Sequence, residues 1–296
     1  MPASPPSGAQ VELALGDLRA VVTTVGAGLR TYSAGGRDVL DGYREDQLSP
    51  SGRGQLLVPW PNRIEDGSYE FGGRSYQLPL DEPARRNAIH GLVRWAEWSV
   101  AEQTPERAVL EHTLYPRPGY PFMLALRVEY ALSDRGLSAR LEARNAGADP
   151  CPYGAGQHPY LAVPGDRVDD VELRVPAARV LHSDERGLPV GEKPVAGELD
   201  FRERKQIGTT VLDHCFTALE RDPDGCARVR LGETMLWLDE SWPYVMVFTG
   251  DPLPEVARRS AAVEPMTCAP NAFRSGDGLI VLEPGETHVG TWGISP

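Results

Sequence analysis

Three short tracts set acid–base side chains among glycine, proline or apolar neighbours. In Gly154-Ala-Gly-Gln-His-Pro-Tyr-Leu161, His158 and Tyr160 stand two residues apart, so an extended backbone carries both on one face. The glycines there would let the backbone approach a ligand closely. Glu264 follows the apolar run Ala261-Ala-Val263; a carboxyl group at such a position loses water, its pKa rises, and it becomes a competent general base. The small and polar residues from Met266 to Phe273 behind it read as a site loop. His90, in Asn87-Ala-Ile-His-Gly91, is either a ligand-contacting group or a half-buried structural histidine. Asn62 and Arg63 close the tract Leu56-Leu-Val-Pro-Trp-Pro-Asn-Arg-Ile64. A guanidinium fork beside an aromatic plane suits hydroxyl or carboxylate recognition, whereas the commoner outcome for such an arginine is a surface pair with Glu65 or Asp66. Asp213 opens the strand-like run Asp213-His-Cys-Phe-Thr-Ala-Leu219, and Glu283, before Pro284-Gly285, reads as a strand-end carboxylate in water.

Other chemistries lose their footing. The chain contains no Gly-x-Ser-x-Gly elbow, no phosphate-binding Walker loop and no His-Glu-x-x-His, and Gly26-Ala-Gly28 precedes no helix. His112 and His288 lie in alternating strand patterns and His182 in a polar turn, so they read as structural or exposed; Trp95 and Trp98 continue an apolar strand and read as core.

The elements that must hold these residues are strands. Leu124, Leu126, Val128, Tyr130 and Leu132 alternate with Ala125, Arg127, Glu129 and Ala131, and after the turn cluster Ser133–Gly136 the alternation resumes from Leu137 to Ala143. This predicts an antiparallel hairpin with one wet face. The same pattern recurs at 69–76, 227–231, 235–238 and 288–294, while convincing amphipathic helices are missing. The expectation is an all-β chain, a large antiparallel sandwich or barrel, forming one domain over residues 11–296 after a disordered start of residues 1–10. Residues 184–206 read as a long polar excursion on its surface.

Composition narrows the partners. With 30 basic against 42 acidic residues the formal net charge is −12, which disfavours binding to nucleic acid or to an anionic membrane. Only Lys193 and Lys205 are lysines, which lowers the odds of Schiff-base chemistry. The 31 glycines and 27 prolines exceed the roughly 7% and 5% of average usage. The four cysteines form no CxxC pair, so neither a structural zinc site nor a disulfide scaffold is expected. The start has neither a basic leader nor an apolar run, and the expectation is a cytoplasmic protein.

Taken in order, Pro59-Trp-Pro-Asn-Arg-Ile64, Asn87-Ala-Ile-His-Gly91, His158-Pro-Tyr160, Leu212-Asp213 and Val263-Glu-Pro-Met-Thr267 resemble the aldose 1-epimerase (galactose mutarotase) family from about Gly26 to Trp292. The resemblance implies a β-sandwich whose open concave sheet holds a monosaccharide, with no metal and no organic cofactor. It implies Glu264 as the base at the anomeric hydroxyl and His158 as the acid at the ring oxygen, with His90 in support. Asn62, Arg63, Tyr160 and Asp213 would bind the sugar, and the protein would be a monomer or weak homodimer. A close imidazolium–carboxylate arrangement would favour the charged form of both partners.

The tracts depart from the galactose-specific pattern. Gln157 replaces the usual Asn before the histidine, Pro159-Tyr160-Leu161 follows it, and Pro265 replaces Thr after the glutamate, which leaves the sugar open. Arg53, Arg85, Arg86 and Arg94 keep a hexose-6-phosphate 1-epimerase in play, and a non-catalytic carbohydrate-binding protein is the third reading. A glycoside hydrolase would need a second carboxylate in a comparable loop.

Overall fold

The computed structural model of the protein describes residues 4–254 and 256–296. The alternation found at 124–143 is realised as the strands Leu124–Ser133 and Gly136–Asn145, paired in register from Leu124↔Asn145 to Ser133↔Gly136. They belong to a nine-stranded antiparallel sheet, in which Thr287–Ser295 lies in the middle, between Gly136–Asn145 and Thr234–Leu238. An eight-stranded sheet faces it, ordered Pro189–Pro194, Ala177–Ser183, Asp213–Leu219, Tyr244–Phe248, Ser260–Met266, Gly156–Gln157 and Leu56–Leu57, with Tyr160–Ala162 also on Ser260–Met266. The two sheets share one hydrophobic core: Val128, Leu141 and Trp292 from the first meet Val245, Val247 and Val263 from the second. The single α-helix among the described residues is the one-turn Ala272–Ser275, so the all-β antiparallel sandwich expected from the two-residue period is the fold.

Period two also decides what faces the site. Along Ser260–Met266, Ala261 and Val263 enter the core, so Ala262, Glu264 and Met266 stand on the opposite face. Cross-strand register puts Met246 beside Glu264, Phe248 beside Ala262, Asp213 beside Phe248 and Tyr160 beside Ala262, all on that face.

Two segments are more ordered than expected. Residues 5–10 are docked, with Val25 N–H donating to Ser7 O (3.0 Å), Ala9 N–H to Thr24 Oγ1 (2.9 Å) and the first strand running Gln10–Leu15; of the expected disordered start, Met1–Ala3 lie outside the described residues. The stretch 184–206 supplies the edge strand Pro189–Pro194. Trp98 is core, but Trp95 is 53% exposed, so the expectation that both are core fails for Trp95.

Candidate active site

The site-facing side of the eight-stranded sheet floors a cavity of about 440 Å³ that collects Asn62, Arg63, His90, His158, Asp213 and Glu264, a size suited to a small polar ligand. Two larger depressions, of about 820 and 770 Å³, contain none of these residues. At the cavity floor His158 Nε2 lies 3.3 Å from Glu264 Oε1, their side chains 6% and 3% exposed. Neither His158 Nδ1 nor Glu264 Oε2 has a protein hydrogen-bond partner among the described residues. A buried polar atom left without a partner is costly, so such atoms are normally satisfied. A ligand is the natural source of the two missing bonds.

Burial governs the charge of this pair. It pushes the Glu264 carboxyl well above its ordinary range, reinforced by Asp213 and opposed by Arg63. It pulls His158 down to about 3, and the nearby cations of Arg53 and Arg94 act in the same sense. The expectation that proximity would favour imidazolium and carboxylate meets an opposing force: desolvation drives both partners toward their neutral forms, carboxylic acid and imidazole.

His90 is held by a backbone device. Asn62 N–H donates to His90 Nδ1 (3.2 Å) and His90 N–H donates to Asn62 O (2.8 Å). Nδ1 is thus the acceptor, which assigns the ring proton to Nε2 as a donor. Asn62 (φ 53°) and His90 (φ 63°) both adopt the left-handed conformation, a strain of order 1–3 kcal/mol per residue that clusters at working sites. Gly91 follows because a Cβ there would lie 2.2 Å from Val58 O. Solvent touches the edge of His90, yet the enclosing protein and the neighbouring His158 keep its pKa well below the ordinary value, so it acts as a neutral donor.

Arg63 does not pair with Glu65 or Asp66. Its Nε and one terminal nitrogen donate to the two carboxylate oxygens of Glu82 at 2.9 and 3.0 Å, and Glu82 also accepts from Asn87 Nδ2 (2.9 Å). Glu65 and Asp66 instead engage Arg186 in the turn between the paired strands Ala177–Ser183 and Pro189–Pro194, where Gly187 packs so close to Arg63 that a Cβ would lie 2.7 Å from its Nη1. Asp213 is half-buried on the site face, and no protein hydrogen bond reaches its carboxylate among the described residues. Tyr160 also lines the cavity; its O–H donates to Ser51 O (3.1 Å), and its ring stacks on His158 at 4.9 Å with planes 6° apart.

Other expectations change place. Gly154 and Gly156 make room for Cys268 Sγ and Pro61 rather than for a ligand. The 267–273 segment buttresses the Arg63 strand, with Asn271 N–H donating to Arg63 O (2.7 Å), and the site residue itself lies within Ser260–Met266. Gln157 and Pro265, the two departures flanking the acid and the base, point away from the cavity; Gln157 Nε2 donates to Gly54 O (3.0 Å) and Tyr130 Oη (2.6 Å) in the core. All four arginines that kept a sugar phosphate in play face carboxylates: Arg53–Asp41 (3.1 Å), Arg85–Glu82 (3.9 Å), Arg86–Asp66 (3.3 Å) and Arg94–Asp81 (2.8 Å). Sequence reasoning missed Asp81 and Glu82, in the turn after Leu78-Pro79-Leu80, and the rim residues Trp95 and Leu253. Among the described residues no group of three or more His, Cys, Asp or Glu side chains is arranged to hold a metal ion.

Comparison with known proteins identifies the family. The chain is 38% identical over 291 residues to the uncharacterized protein YihR of Escherichia coli, spanning 95% of this chain and 91% of that one. It is 28% identical over 231 residues to galactose mutarotase of Mus musculus, spanning 72% and 65% of the two chains. The solved GalM/aldose epimerase homologue from C. elegans superposes with a TM-score of 0.86 at 20% identity over 97% of this chain and 98% of that one, which speaks for the fold. The family model described as aldose 1-epimerase matches residues 9–295. The chain belongs to the aldose 1-epimerase family and is an isomerase acting on sugars.

Proposed function

We propose that this protein interconverts the α and β anomers of a free monosaccharide through its open-chain aldehyde, with Glu264 and His158 exchanging the protons. The observation that carries this reading is the buried pair at 3.3 Å whose outer atoms, Glu264 Oε2 and His158 Nδ1, have no protein partner. As the sugar binds, its hydroxyls offer donors to the carboxylate, Arg63 favours the same ionised form, and the proton shared by the pair moves to His158. Glu264 then takes the anomeric hydroxyl proton while His158 gives its own to the ring oxygen. The bond from C1 to the ring oxygen breaks, and the free aldehyde turns about C1–C2. Reclosure on the other face reverses both transfers. After ring opening the pair is carboxylic acid plus neutral imidazole, the state that burial favours, so the site stabilises the open-chain complex. Uncatalysed mutarotation is already fast enough that two groups worth roughly 10²–10⁴ each suffice. His90 Nε2–H, Asn62, Asp213 and the remaining donors of Arg63 hold the hydroxyls.

A second reading has one observation behind it. Glu82 is already bonded to Arg63 and Asn87, so Arg85, 3.9 Å from it, retains spare donors at the rim, where an aldose bearing a phosphate would place it. Saturation-transfer NMR of anomer exchange over free and phosphorylated aldoses separates the two. Sugar binding without faster exchange would instead identify a carbohydrate-binding protein and defeat both.

A further inference from the structure

We propose that Arg53 and Tyr160 are positioning residues for His158, a guanidinium–phenol–imidazole arrangement that fixes the plane and sets the acid strength of the ring facing Glu264. The proposal rests on His158 being the acid of the reaction above. A catalytic histidine is ordinarily oriented by a carboxylate or carbonyl on its second nitrogen. Here His158 Nδ1 has no such partner from another residue among the described residues; only the backbone of His158 itself favours the protonated ring. What holds the imidazole is surface. Tyr160 covers it at 4.9 Å and 6°, His90 meets it edge-on at 5.4 Å, and Gly52 approaches until a Cβ would lie 3.0 Å from His158 Cδ2.

Arg53 completes the arrangement. Its guanidinium sits 4.1 Å over the Tyr160 ring, the residue is 2% exposed, and its Nε has no protein partner. Its counter-charge is shared: Asp41 accepts from Arg53 (3.1 Å), Arg259 (2.6 Å) and Ser260 Oγ (2.6 Å). Burial would raise the Asp41 pKa, but these donors keep it below its ordinary value, so it stays ionised beneath the stack. The titratable and charged groups around His158 are Glu264 on Ser260–Met266, His90 and Arg94 on the 90–94 loop, Arg53 on the 49–53 turn and Tyr160 on its own strand. Asp213 acts on Glu264 from the next strand but one, across Tyr244–Phe248. Among these the cations make the imidazolium rarer at rest and readier to release its proton to a ring oxygen.

The test is a pH titration of full-length protein carrying ¹⁵N-labelled histidine, with His158 signals assigned from His158→Asn. Arg53→Met should raise the His158 midpoint by at least about one pH unit and lower kcat about tenfold with KM changed less than about threefold. Arg53→Lys should return the midpoint most of the way, and Tyr160→Leu should lower kcat with the same KM pattern. If Arg53→Met fails to fold, the double variant Asp41→Asn/Arg53→Met removes both charges and is read the same way. A folded variant without Arg53 whose His158 midpoint is unmoved overturns the proposal. A wild-type protein that exchanges no aldose anomers while the midpoint moves as stated refutes the reaction above and leaves the stack's effect on His158 standing.

Discussion

The two faces of the sandwich treat charge in opposite ways. On the wet face of the nine-stranded sheet, arginines and glutamates pair across the ladder: Arg127 bonds Glu111 (2.6 Å) and Glu102 (2.8 Å), and Arg107 bonds Glu102 and Glu129 (2.6 Å each). On the site face of the eight-stranded sheet, Glu264 and His158 are buried 3.3 Å apart and leave one atom each without a protein partner among the described residues. The strands differ accordingly. The first sheet carries the ten-residue strands Leu124–Ser133 and Gly136–Asn145 with unbroken alternation, whereas no strand of the second is longer than seven residues. A regular ladder satisfies its polar groups locally; a sheet that must present atoms to a ligand gives up regularity and local pairing.

Breaking the pair on the site face should have the largest effect. Glu264→Gln and His158→Asn are each expected to slow anomer exchange by at least about a hundredfold, near 2.7 kcal/mol in the barrier, with circular dichroism unchanged; saturation-transfer NMR reads the rate. Next comes Glu82→Ala, which strands the buried Arg63 guanidinium. Urea denaturation should show a loss of about 2 kcal/mol, and burial is outweighed by the Arg63 and Asn87 bonds that hold the Glu82 pKa below 4.5. That part of the stability is present above pH 4.5 and is lost as pH falls through the lower folded-state value.

The third effect runs against intuition. Because the Glu264 pKa is raised above 4.5 in the folded protein, its contribution to stability is full below pH 4.5 and declines as pH rises through the folded-state value. Glu264→Gln should therefore be more stable than wild type at pH 8 by about 1 kcal/mol, with the difference vanishing near pH 4, as thermal melts at the two pH values will show. The smallest effect belongs to the other sheet: Arg127→Ala should cost less than about 0.5 kcal/mol in urea. A loss above about 2 kcal/mol there would erase the contrast between the faces.

The same contrast explains what was legible in the sequence. Long alternation announced the 124–143 hairpin, and an acidic residue ending an apolar run pointed to Glu264 because burial is written locally. Arg63 was harder to read, since its neighbours Glu65 and Asp66 are engaged by Arg186 from 120 or so residues away, while its true partner, Glu82, sits in a polar turn. The stacking of Tyr160 was hidden for a related reason. Spacing put it on the face of His158, but the course of the 49–53 turn decides whether its hydroxyl meets a ligand or Ser51 O.

The placement of Thr287–Ser295 in the middle of the nine-stranded sheet has a consequence for biosynthesis. Hairpin-linked neighbours such as 124–133 and 136–145 can pair while the ribosome is still at work, but the two halves of that sheet are joined only by a segment translated after both. Until residues 287–295 emerge, Gly136–Asn145 and Thr234–Leu238 each expose a bare edge to other nascent chains. The interval before they emerge is when a holdase chaperone would matter most to this protein.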